Sequence, residues 1–138
     1  MKRYLSLILL LPLFSLAQLT VTHSGKSREI TVYGAKLGIV VLSDGHYVFD
    51  YTNGLKGGTD FRSIVFKNKV DAKSFIKEIG KAFLLKEGES NTINYSKYEI
   101  GLSLGTTTPG VFMVVKEKGL TPSVLDITKE MYDEINIL

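Results

Sequence analysis

The chain has 138 residues, of which 17 are basic and 14 are acidic, and it has no cysteine. The lack of cysteine excludes a disulfide framework and a lipid-anchored cysteine. A chain of this length holds one domain with a single hydrophobic core and is too short for two domains of ordinary size.

The first 17 residues are typical of a bacterial secretory signal peptide. Lys2 and Arg3 precede an apolar run from Leu5 to Leu16, and Ala17 is a small residue suited to a cleavage site. The apolar run is much shorter than the roughly 20 residues that a membrane-spanning helix needs. We therefore expect cleavage after Ala17, no membrane span in the mature chain, and export to the periplasm or the extracellular medium.

Removal of this segment makes the chain nearly neutral. The segment carries two of the 17 basic residues and no acidic one, so 15 basic residues remain against 14 acidic ones. We expect no nucleic-acid partner, because proteins that bind nucleic acids present a strong excess of basic residues.

The mature chain begins with a pattern that predicts strands in hairpin order. Residues 18–27 form either a first strand or a flexible tail, and Arg28 to Tyr33 alternates as a half-buried strand does. Leu37 to Leu42 is apolar on both faces, which predicts a central strand covered on both sides or a strand at a subunit contact. Ser43 to Gly45 predicts a hairpin turn, and His46 to Thr52 is the returning strand.

Alternation along the returning strand places Tyr47, Phe49 and Tyr51 on one face. This face is either core beneath the helices or, through its tyrosines, a surface that stacks on sugar rings or anchors a partner. Beyond it, Asn53 to Asp60 has three glycines, which predicts a flexible or tightly turned loop. Phe61 to Lys67 is a further strand.

The glycine-rich loop also contains residue types found in phosphate-binding loops, namely Lys56, Thr59 and Asp60. It lacks the spacing of such a loop and leads into a strand, so the free amides of a helix N-terminus are missing. The loop is therefore either a ligand-binding loop or a plain connection.

The segment Asn68 to Lys86 is the strongest helix prediction in the chain. Asp71 is suited to the N-cap, because its carboxylate accepts hydrogen bonds from the unpaired amides of the first turn. Apolar residues recur at three- and four-residue spacing along one face, as in a helix that packs on a sheet. They are Ala72, Phe75, Ile76, Ile79 and Phe83.

Two more strands and a second helix complete the prediction. Tyr98 to Leu104 alternates cleanly, and Val111 to Glu117 is its hairpin partner. Thr121 as N-cap and Pro122 at the first helical position predict a helix that runs to Leu138. Its predicted buried face comprises Val124, Ile127, Met131, Ile135 and Leu138.

Together these elements predict a single α+β domain over residues 18–138. We expect a mainly antiparallel sheet of five to seven strands with two amphipathic helices packed on one face. The order of elements is too common to indicate a family.

A row of lysines follows the predicted first helix on the side opposite its apolar stripe. Lys69, Lys73, Lys77 and Lys81 recur every four residues. The row either binds an anion or a glycan, chiefly through its last three members, or is a solvated face. In the second case acidic residues of the last helix would lie opposite it, in exposed pairs that contribute about 0 to 1 kcal/mol each. These residues are Asp126, Glu130, Asp133 and Glu134.

His46 is the candidate for acid–base chemistry, together with Asp44 or Asp50. The sequence has no nucleophile-elbow pattern to supply an attacking serine. The spacing of histidines and carboxylates supports neither a metal site nor a cofactor.

The sequence therefore favours a small exported, non-enzymatic module that binds a macromolecule or a second copy of itself. Its partner would be an unknown protein or a component of the cell envelope, bound by the solvent face of the sheet and the loops Asn53 to Asp60 and Gly105 to Gly110. The alternatives are a small secreted hydrolase that uses His46 and an anion- or glycan-binding protein that uses the lysine row.

Overall fold

The computed structural model describes residues 19–24, 37–57, 59–105 and 109–136. These residues form an α+β fold with two antiparallel sheets and two helices. The predicted class and the antiparallel strand pairing are therefore confirmed. The predicted signal peptide and the predicted strand from Arg28 to Tyr33 lie outside the described residues.

The described part of the chain contains eight strands and two α-helices. The strands are β1 (Thr20–Ser24), β2 (Leu37–Val41), β3 (Tyr47–Thr52), β4 (Phe61–Phe66), β5 (Ser90–Tyr95), β6 (Tyr98–Leu104), β7 (Val111–Glu117) and β8 (Ser123–Ile127). The helices are α1 (Lys69–Ala82) and α2 (Lys129–Ile135), and a short 3₁₀ helix spans Gly54–Lys56.

The strands do not form the single sheet of five to seven strands that the sequence predicts. One sheet has the order β1-β5-β6-β7-β8, and the other has the order β2-β3-β4. Alternation along a strand shows which side chains share a face, but it does not show which strand lies beside it. The division into two sheets was therefore not visible in the sequence.

Among the described strands, two early ones lie at the edges of these sheets. Of the two alternatives for residues 18–27, a strand is observed over Thr20–Ser24, where β1 pairs with β5. Of the two alternatives for Leu37 to Leu42, a central strand is not observed among the described residues, where β2 pairs only with β3; the alternative of a strand at a subunit contact stays a prediction. Val41 is 54% exposed accordingly. An apolar run favours a strand wherever that strand lies in the sheet.

Both sheets and α1 contribute to one hydrophobic core. The ring of Phe75 in α1 lies 5.0 Å from that of Phe49 in β3 and 5.1 Å from that of Phe66 in β4. The Phe66 ring is in turn 5.1 Å from Tyr95 in β5. The predicted apolar stripe of α1 is confirmed: four of its members are buried and the fifth, Phe83, packs against the core from its edge.

The first turn of α1 differs from the prediction in its cap. The N-cap is Asn68, whose Oδ1 accepts a hydrogen bond from the backbone amide of Asp71 at 2.8 Å. Asp71 lies inside the first turn, where its Oδ2 accepts a hydrogen bond from the Tyr95 hydroxyl at 2.9 Å. Asn and Asp cap helices about equally well, so residue type alone did not show which of the two begins the helix.

The predicted last helix is wrong in its first half. Residues Ser123–Ile127 form strand β8, which pairs antiparallel with β7. Helix α2 begins only after Thr128, whose hydroxyl accepts a hydrogen bond from the amide of Met131 at 3.2 Å. The sequence SVLDI fits both periods, because Val124 and Ile127 match a helical face while Leu125 and Ile127 match a strand face. The free hydrogen-bonding edge of β7 decides in favour of the strand.

Candidate functional site

A groove lies between α1 and α2 and has a volume of about 290 Å³. Lys73, Ile76 and Lys77 line it from α1, and Tyr132 and Asn136 line it from the C-terminal segment. Ile76 is only 2% exposed and provides an apolar floor, whereas both lysines are on the exposed face. The two lysines are one helical turn apart, which places their side chains on the same side of α1.

Tyr132 is held in the wall of this groove by contact with α1. A Cβ atom at Gly80 would lie 2.3 Å from the Tyr132 hydroxyl oxygen and 2.9 Å from its Cζ atom. The Tyr132 ring also lies 5.4 Å from the ring of Phe83. The aromatic ring can pack this closely only because position 80 has no side chain.

The lysines of the row differ in whether a neighbouring carboxylate compensates their charge. Within the described residues, Lys81 Nζ lies 2.6 Å from Glu78 Oε1, so the charge of Lys81 is compensated within α1. Lys73 and Lys77 belong to none of the ion pairs between described residues. The groove therefore contains two cations that have no anionic partner in the described part of the chain.

The predicted charge pairing between the two helices is not observed among the residues that the structure describes. The ion pair of α2 joins Lys129 to Asp133 within that helix. Asp126 lies in β8, where partial burial raises its pKa. Helix α2 carries the other three predicted carboxylates, but none of them forms an ion pair with a lysine of α1 among the described residues. The described contacts of α2 with α1 and its C-cap include the packing of Tyr132 against Gly80 and the ring of Phe83.

Two neutral polar groups of the groove also have no hydrogen-bond partner within the described part of the chain. The Tyr132 hydroxyl and the Asn136 side-chain amide make no hydrogen bond to another described residue. A tyrosine hydroxyl can both donate and accept a hydrogen bond, and so can an asparagine amide. The groove thus combines two cations, two neutral hydrogen-bonding groups and an apolar floor.

The structure brings His46 to Asp44 and separates it from Asp50. His46 Nδ1 lies 2.8 Å from Asp44 Oδ2, and the His46 amide donates to Asp44 Oδ1 at 3.0 Å. The pKa of Asp44 is lowered chiefly by the hydrogen bond from the His46 amide and next by the contact with the His46 side chain. Both side chains are on an exposed turn, at 39% and 61% exposure. Asp50 is four residues further along the strand, about 13 Å away, and accepts a hydrogen bond from Ser63 at 2.5 Å.

The two tyrosines that the sequence offers as binding residues pack into the core. The hydroxyl groups of Tyr51 and Ser123 are hydrogen-bonded at 2.6 Å, and burial raises the pKa of Tyr51 to about 12. Tyr47 is half-buried and packs against the same core. The alternative in which this aromatic face is core is therefore confirmed, and Tyr51 presents no open ring face to a ligand.

The loop from Asn53 to Asp60 is tied together by its own side chains. The buried Asn53 Oδ1 accepts from the amides of Leu55 at 3.2 Å and Val124 at 3.1 Å. Its Nδ2 donates to Asp60 at 3.0 Å. Asp60 also accepts a hydrogen bond from Arg62. This bond and, to a smaller extent, the bond from Asn53 lower the pKa of Asp60.

The three loop residues that the sequence offers for binding have different surroundings. Asp60 is engaged by Asn53 and Arg62, as described above. The Thr59 hydroxyl donates to the Lys56 carbonyl oxygen at 2.7 Å. Lys56 and Thr59 are both exposed, and the Lys56 side chain belongs to none of the ion pairs between described residues. The contacts favour a structural connection over a ligand cradle.

A second, more open cavity of about 360 Å³ lies near the hairpin between β5 and β6. Its walls are charged, but its charges are largely compensated. Lys97 lies 2.5 Å from Glu117, and Lys116 lies 2.9 Å from Glu99. An ionic ligand would have to compete with these pairs, which makes this cavity a weaker candidate than the groove between the helices.

Sequence reasoning found half of the groove and missed the other half. It proposed Lys73 and Lys77 because they form a periodic charge pattern, but it did not propose Tyr132 or Asn136. The available signal was Gly80, since an isolated glycine within a helical pattern often marks a close packing contact. Gly80 indicates that some group packs against α1 at this position, but it does not indicate which residue supplies that group.

The chain matches no protein-family model, no curated protein and no solved structure. Among the residues that the structure describes, no three histidine or acidic side chains are placed so that they could hold a metal ion. Neither α1 nor α2 has the length and apolar character of a membrane-crossing helix, a finding that covers the described residues alone.

Proposed function

We propose that the protein is a small exported, non-enzymatic binding module that holds an anionic ligand in the groove between α1 and α2. The observation that carries this proposal is the convergence of Lys73 and Lys77 with Tyr132 and Asn136 around one groove. Both lysines lack an anionic partner among the described residues, so a ligand that carries negative charge would compensate them. Export is supported by the signal-like N-terminal sequence.

The strength of such binding follows from the position of the lysines at the surface. An ion pair at 4 Å contributes about 1 kcal/mol in bulk water and about 4 kcal/mol near a protein surface. A single anion in the groove is therefore held weakly, with a Kd on the order of 1 mM. The protein would bind far more tightly to a polymer or a cell-envelope surface with many anionic groups, because several of these groups can be bound at the same time.

The side chains around the groove fit binding better than catalysis. Among the described residues that line the groove there is no histidine, carboxylate or serine, the groups that general acid–base and nucleophilic catalysis most often use. The contact between His46 and Asp44 lies on an exposed hairpin turn and tightens that turn through the amide of His46. The module that we propose acts by holding its ligand, not by converting it.

The test compares two double charge reversals for retention on an anionic polysaccharide matrix. We expect Lys73→Glu/Lys77→Glu to abolish retention at low ionic strength. The control, Lys69→Glu/Lys86→Glu, changes the net charge equally at exposed positions outside the groove and should still be retained. Equal loss in both variants would show that net charge alone governs retention, and equal retention would show that the groove lysines do not bind. Either result would refute the proposal.

A further inference from the structure

We propose that the ligand of the groove is an acidic sugar residue, a six-membered ring that carries a carboxylate. This inference rests on the proposed function and specifies the ligand class of the same groove. Four features of the groove lead to it: its charge, its floor, its neutral polar groups and its size.

The charge of the groove suits one carboxylate. Lys73 and Lys77 are four residues apart on α1, which places their Cβ atoms about 5 to 6 Å from each other. Their long, flexible side chains can bring both ammonium groups to the two oxygens of a single carboxylate. The mutual repulsion of the two ammonium groups then favours the bound state over the empty one.

The floor and wall of the groove suit a ring with an apolar face. Ile76 is buried between the two lysines, and the Tyr132 ring forms the adjacent wall. A sugar ring presents C–H groups on its face, and such a face packs against apolar and aromatic side chains. A small inorganic anion has no apolar surface and would leave this part of the groove unused.

The neutral polar groups suit ring hydroxyls. The Tyr132 hydroxyl and the Asn136 amide have no partner among the described residues, and each can both donate and accept a hydrogen bond. Sugar hydroxyls have the same dual character. A simple carboxylate such as acetate only accepts hydrogen bonds, so it cannot satisfy the acceptor atoms of these two side chains.

The size of the groove limits the ligand to about one ring. Its volume of about 290 Å³ is at the lower limit of the range of about 300 to 1,000 Å³ in which pockets for drug-sized ligands fall. One sugar residue fits such a volume, whereas a longer saccharide would extend beyond its walls. The groove is therefore suited to a terminal or branching acidic residue of a polysaccharide.

The test is a titration of the purified, isotope-labelled protein, followed by two-dimensional amide NMR. The ligands are glucuronate, glucose, acetate and inorganic phosphate. We expect glucuronate to shift the amides of residues 73–77 and 132–136 saturably, and glucose and acetate to bind at least about tenfold more weakly. We expect Tyr132→Phe and Asn136→Ala each to weaken glucuronate binding about fivefold, which corresponds to one lost hydrogen bond, and to leave acetate binding unchanged.

The outcomes separate this inference from the proposed function. If acetate and phosphate bind as tightly as glucuronate and neither variant changes glucuronate affinity, the groove binds charge alone and the sugar inference is refuted, whereas the proposed function stands. If glucose binds as tightly as glucuronate, the lysines take no part and both are refuted. If none of the four ligands shifts the groove amides, the sugar inference is refuted, and the matrix experiment decides the proposed function separately.

Discussion

The hydroxyl oxygen of Tyr132 lies so close to Gly80 that a Cβ atom at position 80 would be 2.3 Å from it. This contact joins α2 to the last turn of α1, and the tyrosine forms one wall of the groove that Ile76 also lines. The shape of the candidate site therefore depends on the absence of a side chain at one position of α1.

We predict that Gly80→Ala destabilises the fold and weakens ligand binding. Alanine favours a helix over glycine by up to about 1 kcal/mol, but displacement of a packed ring costs about 1 to 3 kcal/mol. The net effect should be a loss of up to about 2 kcal/mol, measured by urea unfolding. Binding to the anionic matrix should weaken as well, because Tyr132 must move.

A double-mutant cycle identifies the cause of that effect. In the Tyr132→Ala background the added methyl group meets no ring, so Gly80→Ala should then be neutral or stabilising. If Gly80→Ala were as destabilising without the tyrosine as with it, the close contact would not be the cause.

A second prediction distinguishes the observed start of α2 from the start that the sequence suggests. Thr128→Ala removes the hydroxyl that accepts from the Met131 amide, and it should cost about 1 kcal/mol in the free energy of unfolding. Thr121→Ala is the matched control, because Thr121 is the cap that sequence reasoning selects. Within the described ranges its hydroxyl accepts a hydrogen bond only from Arg62, at a long distance of 3.5 Å, so its loss should cost less than about 0.5 kcal/mol. The reverse order of effects would contradict β8.

The fold was predictable where local pattern and tertiary structure agree. The hairpin turn that ends at Gly45, the strand Tyr47–Thr52 and the helix Lys69–Ala82 follow from turn chemistry and periodicity, and the structure confirms all three. Residues Ser123–Ile127 were not predictable in this way, because their apolar positions fit both a helix and a strand. Their state depends on pairing with β7, which is a long-range interaction that no local window contains.

The candidate site was predictable to the same extent. Lys73 and Lys77 are neighbours through the period of a single helix, so the sequence alone places them together. Tyr132 and Asn136 lie more than 50 positions further along the chain and reach the groove only because α2 packs on α1. The ion pair between Lys81 and Glu78 was not predicted either, although the two residues are three positions apart on α1, because its formation depends on side-chain geometry.

A third prediction concerns the buried amide of Asn53, which is 1% exposed. Asn53→Ala leaves the amides of Leu55 and Val124 without their acceptor. The bond to Val124 is buried, and an unpaired buried group costs about 1 to 3 kcal/mol, whereas Leu55 is 50% exposed, so water can reach its amide. We expect a loss of about 1 to 3 kcal/mol in urea unfolding. Thr59→Val removes an exposed hydrogen bond in the same loop and should cost less than about 1 kcal/mol. Similar costs for the two variants would show that Asn53 is not the centre of this loop.

The last prediction concerns stability at alkaline pH, which should depend on Tyr51. Burial raises the pKa of Tyr51 from 10.0 to about 12 in the folded protein. Above pH 10 the unfolded chain therefore releases this proton while the folded chain retains it, so ionisation favours unfolding. The contribution of the neutral Tyr51 side chain to the free energy of unfolding is complete below pH 10 and is lost as the pH rises through about 12. The loss is on the order of 2 kcal/mol.

Two variants separate ionisation of Tyr51 from its hydrogen bond to Ser123. Tyr51→Phe and Ser123→Ala each remove that bond and should each lower the free energy of unfolding by about 1 kcal/mol at pH 8. Only Tyr51→Phe also removes the ionisable group, so its stability should fall less steeply between pH 10 and 12 than that of Ser123→Ala. The raised pKa of Tyr95 adds to the slope in both variants and cancels in the comparison. Parallel curves for the two variants over this range would mean that Tyr51 does not govern the alkaline loss.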